Sequence, residues 1–153
     1  MIASITNFLQ IDPNLGTAGQ PTREQLAAVR DAGYEVVINL LPPESEAYLP
    51  DEEAVVRGLG MEYISIPVFW TAPTRQNLEQ FFAALDRHRP RKVFVHCMMN
   101  MRVTAFVFLY RALREGAPVA EARRIMEPVW EPNPVWAQFI EESLSTDYTD
   151  DTD

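Results

Sequence analysis

Cysteine is almost missing from this chain: Cys97 is the only one in 153 residues. That excludes an internal disulfide and suits a reducing compartment. Lysine is equally scarce. Lys92 stands alone beside twelve arginines, and the net charge is −9. This balance argues against nonspecific nucleic-acid binding and against anionic membrane surfaces. Only two histidines occur, His88 and His96, without the clustered ligands of a metal site, so no metal and no cofactor are expected. The apolar runs are far too short for a bilayer. Met1-Ile2-Ala3-Ser4 is not a basic segment followed by an apolar one. The expectation is a cytoplasmic protein with no secretory leader. No internal repeat is apparent.

What remains is a chain of ordinary hydrophobic content, 47%, long enough for one core. A single domain is expected over residues 1–144, followed by an acidic, disordered tail over 145–153. An edge strand is predicted within Ser4 to Ile11, then a turn at Asp12-Pro13-Asn14 and a short extended piece over Gly16 to Gln20. Thr22-Arg23-Glu24-Gln25 reads as a capping box opening a helix that ends at Gly33. Glu35 to Leu41, rich in β-branched residues, reads as a strand closed by Pro42-Pro43. A helix begins near Pro50, and Met61 to Ile66 is another strand. Thr74 caps a helix bearing Leu78, Phe81, Phe82 and Leu85. Lys92 to Val95 is a strand, and a helix runs from near Arg102 to Glu115. Pro118 and Pro134 start two more, the second capped by Asn133. Strand and helix alternate, which predicts an α/β domain with a mostly parallel central sheet flanked by helices. Ligands bind such sheets beyond the carboxyl ends of the strands. Three loops leave those ends: Leu41 to Glu46, Pro67 to Pro73, and Cys97 to Arg102.

The third loop carries chemistry. Val93-Phe94-Val95 leads into His96-Cys97-Met98-Met99-Asn100-Met101-Arg102. A thiol at a strand-to-helix turn has its thiolate favoured by the helix N-terminus and by nearby positive charge. The loop amides of Met98, Met99, Asn100 and Met101 form a candidate anion nest, and Arg102 a candidate bidentate clamp. Thr104 is placed to donate to the thiolate or to a covalent intermediate. His96 has two readings, a supporting role or a simple hydrogen bond to a neighbouring carbonyl. Asn100 is the loop residue best suited to a left-handed backbone where no glycine stands. The side chains of Met98, Met99 and Met101 are expected to fill core space under the loop. His88, between Arg87 and Arg89, is expected at a solvent-exposed helix end. Trp70, Trp130 and Trp136 are expected to pack in the core, and Phe69 with Trp70 to offer a contact patch.

At these residues the chain resembles the cysteine-dependent protein tyrosine and dual-specificity phosphatase superfamily. Its signature is His-Cys, five variable residues, Arg, then Ser or Thr. Over Ile5 to Ile140 it resembles the small bacterial phosphatase-like group known as DUF442 or beta-lactamase-hydrolase-like phosphatases. The matching pieces are Thr17-Ala18-Gly19-Gln20-Pro21, Val37-Ile38-Asn39-Leu40, Ile66-Pro67-Val68, the His96 to Arg102 loop, and Val129-Trp130-Glu131-Pro132-Asn133-Pro134. The resemblance implies a protein-tyrosine-phosphatase-like fold. It implies that Cys97 attacks phosphorus and that Arg102 holds the equatorial oxygens. The substrate would be a phosphorylated small molecule or a phosphoprotein.

Two departures stand out. Four residues, not five, separate Cys97 from Arg102, and loss of one oxyanion donor costs on the order of a hundred- to a thousandfold in rate. The loop Val68 to Thr74, where the superfamily keeps an acid, has no carboxylate. Absent acid catalysis costs roughly a hundred- to ten-thousandfold. Glu44, Glu46 and Glu131 are the candidates to replace it. Three functions therefore stand open. The first is a weak phosphomonoesterase acting through a phosphocysteine. The second is a rhodanese-like sulfurtransferase, whose loops also place four residues between cysteine and arginine. The third is a silent phosphate-binding module.

Overall fold

A computed structural model describes residues 2–145. The acidic tail expected to be disordered lies, beyond Ser145, outside the described residues. Five strands form one sheet: β1 (Leu9–Asp12), β2 (Leu15–Ala18), β3 (Val36–Asn39), β4 (Glu62–Ser65) and β5 (Val93–His96). Their order across the sheet is β1-β2-β5-β3-β4. β1 pairs antiparallel with β2, and every other pairing is parallel. The mostly parallel α/β domain expected from strand–helix alternation is the fold observed.

Six helices cover the sheet: α1 (Arg23–Asp31), α2 (Glu52–Gly58), α3 (Arg75–His88), α4 (Met101–Leu113), α5 (Val119–Arg123) and α6 (Pro134–Ser143). The Thr22–Gln25 capping box is complete, with the Thr22 side chain on the Gln25 amide and the Gln25 side chain on the Thr22 amide. Thr74 and Asn77 form a second one. Asn133 caps α6 through the Trp136 amide, with Pro134 in the first turn.

Strand periodicity of two divides the core. Leu15, Val36, Ile38, Val93 and Val95 face α3, α4 and α6. Ala18, Val37 and Phe94 face α1 and α2. β2, β3 and β5 are buried along their whole length, as parallel strands covered on both faces must be. In α4 every residue from Arg102 to Tyr110 is buried. A helix apolar around its whole circumference belongs inside, and α4 is wedged among the sheet, α3, α5 and α6. Its N-terminus opens at the carboxyl ends of β5 and β3.

The fold corrects three expectations. The first strand is confined to Leu9–Asp12, and Ile2–Ser4 is a 3-10 turn packed on α1. His88 is not solvent-exposed. It closes α3 on the inward turn, 7% exposed, with its ring 3.1 Å from Arg91 Nη1 and 3.9 Å from Glu62. Met98 and Met99 do not fill the core. They are 41% and 39% exposed, because the loop that carries them leaves the carboxyl end of the central strand β5 with these side chains outward.

Candidate active site

β5 ends with two side chains on opposite faces. His96 is turned toward Glu52 of α2, and Cys97 toward the core that holds α4. The Cys97 amide donates to the Ala18 carbonyl on β2 at 3.3 Å. The loop is then shaped by its neighbours from the N-terminal segment. The Met98 carbonyl accepts from the Gln20 amide at 3.0 Å, and the Met99 carbonyl accepts from Asn7 Nδ2 at 3.0 Å. Both carbonyls are thereby drawn away from the sheet end. In a planar trans peptide the carbonyl and the following N–H point in opposite directions, so the Met99 amide is turned the other way. The amides of Met98 and Met99 meet no protein acceptor among the described residues.

Asn100 has φ 67° and ψ 9°, the left-handed conformation expected of it. Its Nδ2 donates to the Asn7 carbonyl at 2.8 Å and to Thr17 Oγ1 at 3.1 Å. This reversal closes the short loop and starts α4 at Met101. The first-turn amides of α4 have no intrahelical partners, and the helix dipole adds positive potential at this end.

Arg102 is 6% exposed. Its Nη1 donates to the Val68 carbonyl at 2.7 Å, and its guanidinium lies 5.6 Å from the Trp70 ring centroid. Burial pushes it below the ordinary arginine range, and the charge that opposes this effect is that of Cys97. No carboxylate pairs with it among the described residues. A buried, unneutralised guanidinium is costly, and an anion would relieve it.

Cys97 and Arg102 line one cavity of about 400 Å³. Phe69, Trp70, Met98, Met99 and Met101 supply an apolar wall, and Pro42, Glu44 and Ser45 close the other side. Cys97 itself is only 1% exposed, at the cavity floor. Of the three acid candidates, Glu44 lines this cavity. Glu46 is exposed outside it, and Glu131 lies beside Arg123 and Pro132 in a separate depression. The Thr104 hydroxyl is directed to the Asn100 carbonyl (2.8 Å) and the Met101 carbonyl (3.1 Å), and it accepts from Trp130 Nε1 (3.2 Å). Its one proton is thus turned into the helix rather than toward the sulfur. Trp136 is core, as expected. Trp70 departs from that expectation: it is 37% exposed and walls the cavity while leaning on Trp130 and Trp136. Phe69 is 46% exposed beside it.

Sequence reasoning missed the supports of the loop: Asn7, Thr17, Gly19, Gln20 and Glu52. The signal for three of them was the Thr17-Ala18-Gly19-Gln20-Pro21 stretch, which holds Thr17 against Asn100 and Gly19-Gln20 against Met98. Glu52 gave no signal, because an acid in a helix first turn reads as a surface residue. It is instead fully buried, 2.5 Å from His96 Nε2.

A parallel sheet that presents a cysteine and an arginine around a helix N-terminus defines the tyrosine and dual-specificity phosphatase-like class. The chain belongs to the family described as DSP-PTPase phosphatase fused to NAD+ kinase, whose profile matches residues 10–133. A DUF442 structure from Shewanella putrefaciens CN-32 superposes with a TM-score of 0.86 at 35% identity, covering 94% of this chain and 92% of that one. P. aeruginosa TpbA, solved in complex with pTyr, shares the fold with a TM-score of 0.65 at 18% identity, covering 79% and 72%. A beta-lactamase hydrolase-like protein of Xylella fastidiosa (strain Temecula1) is 30% identical over 98 residues, 62% of this chain. The match spans only 22% of that relative's length. Among the described residues, no helix is long and apolar enough to cross a membrane.

Proposed function

We propose that this protein is a cysteine-dependent phosphomonoesterase that prefers aryl phosphates, phosphotyrosine among them. The observation that carries the reading is the pairing of Cys97 with a buried Arg102 that has no carboxylate partner, in one cavity. A phosphoryl dianion supplies the missing counter-charge. The amides of Met98 and Met99 and the first turn of α4 are its further donors. The Cys97 thiolate attacks phosphorus, forming the S–P bond as the P–O bond to the leaving group breaks. Water then cleaves S–P and releases phosphate, returning the thiolate. The apolar wall of Phe69, Trp70, Met98 and Met99 suits an aromatic leaving group. Glu44 is the cavity's carboxylate and the candidate proton donor to the departing oxygen. An aryl oxygen leaves more readily than an alkyl one, so the absence of an acid from the Val68 to Thr74 loop favours the same substrates.

The test is hydrolysis of an aryl phosphate by the wild type, by Cys97→Ser, by Arg102→Met and by a variant with glycine inserted after Asn100. Turnover that disappears in the first two variants is the expected result. Inorganic phosphate should also raise the unfolding temperature of the wild type but not of Arg102→Met. Activity confined to the insertion variant would show the native loop to be a silent binder. Sulfur transfer from thiosulfate to Cys97, without phosphate release, would favour the sulfurtransferase reading, which rests on loop length alone.

A further inference from the structure

Half of the six methionines in the chain stand in one loop, at positions 98, 99 and 101. The proposed reaction uses the amides of this loop and takes the side chains only as wall. They differ from the aromatic wall of Phe69 and Trp70 in one respect: a thioether is reversibly oxidised. Exposure sorts the sulfurs. Met98 and Met99 are 41% and 39% exposed where they line the cavity, and Met101 is half-buried. Met61 and Met126 are sealed in the core, and Cys97 lies on the cavity floor, 1% exposed. A reagent arriving from solvent meets Met98 and Met99 first. The backbone beneath them is fixed. The Met98 carbonyl accepts from the Gln20 amide and the Met99 carbonyl from Asn7 Nδ2, and Met99 forms an isolated antiparallel bridge with Gly19. A change confined to these two side chains therefore alters the wall and leaves Arg102 and the loop amides in place.

We propose that Met98 and Met99 are a reversible modification site, at which a hypohalous acid makes methionine sulfoxide and so weakens the binding of aryl phosphates. Hypochlorous acid attacks thioethers and thiols alike, so access decides which it oxidises. The thioether sulfur takes chlorine as hydroxide departs with the O–Cl electron pair. Water then replaces chloride on sulfur and loses its protons. The products are sulfoxide, chloride and a proton; sulfur is oxidised by two electrons and chlorine is reduced to chloride. A thiol-dependent sulfoxide reductase reverses the change, with its two thiols becoming a disulfide and the oxygen leaving as water. A sulfoxide is polar and keeps its hydration, so an aromatic ring no longer gains by covering it. The phosphoryl group has other partners, Arg102 and the amides, and its binding is unchanged.

The inference rests on the aryl-binding reading of the cavity, but its test does not need turnover. The full wild-type chain is treated with substoichiometric hypochlorous acid, quenched with free methionine and digested with trypsin. Cleavage after Lys92 and Arg102 frees Val93 to Arg102 as one peptide. Mass spectrometry should place oxygen on Met98 and Met99 ahead of Met61, Met126 and Cys97. Oxidation of Cys97 first, or an even spread over the methionines, overturns the proposal. Binding is then measured by calorimetry on Cys97→Ser, which removes both the competing thiol and turnover. Oxidation should weaken phosphotyrosine about tenfold and leave inorganic phosphate unchanged. Methionine sulfoxide reductase should restore the affinity, and dithiothreitol alone should not; this arm alters neither methionine. With Met98→Leu/Met99→Leu added, compared with its own untreated state, the affinity should not fall. Equal loss for both ligands, no loss for phosphotyrosine, or a fall in the leucine variant refutes the proposal. A wild type that gives these results yet hydrolyses no aryl phosphate would refute the proposed function and leave this inference standing.

Discussion

Gly19→Ala is the substitution that most directly probes how the loop is held. Gly19 is not in the left-handed region, so alanine is not strained by its own backbone. The difficulty is contact. A Cβ there would lie 2.3 Å from the Met98 carbonyl oxygen and 3.1 Å from its carbon. Both are backbone atoms, and no rotamer can move them. Ordinary contact requires that oxygen to retreat by about 1.1 Å. The Gln20 amide then loses its acceptor, worth about 0.5–1.5 kcal/mol, and overpacking of this kind costs about 1–3 kcal/mol in total. The same peptide plane carries the Met99 amide, which shifts with the oxygen. A misplacement of about 1 Å in a catalytic array costs on the order of a hundredfold in rate. The assay pairs aryl phosphate kcat/KM with urea unfolding. Gly58→Ala is the control, because nothing lies within 4 Å of its added carbon. Wild-type stability and rate in Gly19→Ala would refute the contact. Lost stability with an unchanged rate would refute the use of the loop amides in catalysis.

Trp70→Ala should raise KM for aryl phosphates about tenfold while changing the binding of inorganic phosphate little, since it removes the ring from the cavity wall and leaves the Arg102–Val68 bond. Equal losses for an aryl and a methyl phosphate would argue against that wall. Tyr110 donates to Asp86 Oδ1 at 2.8 Å, and burial, then this bond and the Asp86 charge, push its hydroxyl up to about 12. The folded state holds that proton more tightly than the unfolded chain. The resulting stability is complete below pH 10 and is lost as pH rises toward 12. Thermal unfolding of Tyr110→Phe should therefore slope less over that window; an unchanged slope would refute the assignment.

The elements were largely legible along the chain because their signals are local. The Thr22 and Thr74 boxes, Pro134 after Asn133, and the β-branched run at Val36 to Ile38 each depend on residues within a few positions of one another. So does the left-handed Asn100, which stands where a short loop must reverse and has no glycine to do it. The site was legible in part for the same reason: Cys97 and Arg102 belong to one turn. The exposure of Met98 and Met99 was not, because an apolar side chain in a loop can face the core or line a cleft, and its own sequence is the same in both cases. His88 likewise reads as surface beside two arginines until α3 turns it toward Glu62 and Arg91.

From residue order alone came the alternation of strands and helices, the thiol at the turn and the arginine after it. Tertiary structure decided what surrounds them. Sheet order placed β2 and β3 on either side of β5, and so brought Gly19, Gln20 and Asn7 against the loop from some eighty to ninety residues away. It buried Glu52 against His96 from a distance of 44 residues, and it set Trp70 over Arg102. The physical reason is that a hydrogen bond or an ion pair depends on distance in space. A carboxylate in a first helical turn has the same sequence signature whether water or an imidazole stands opposite it.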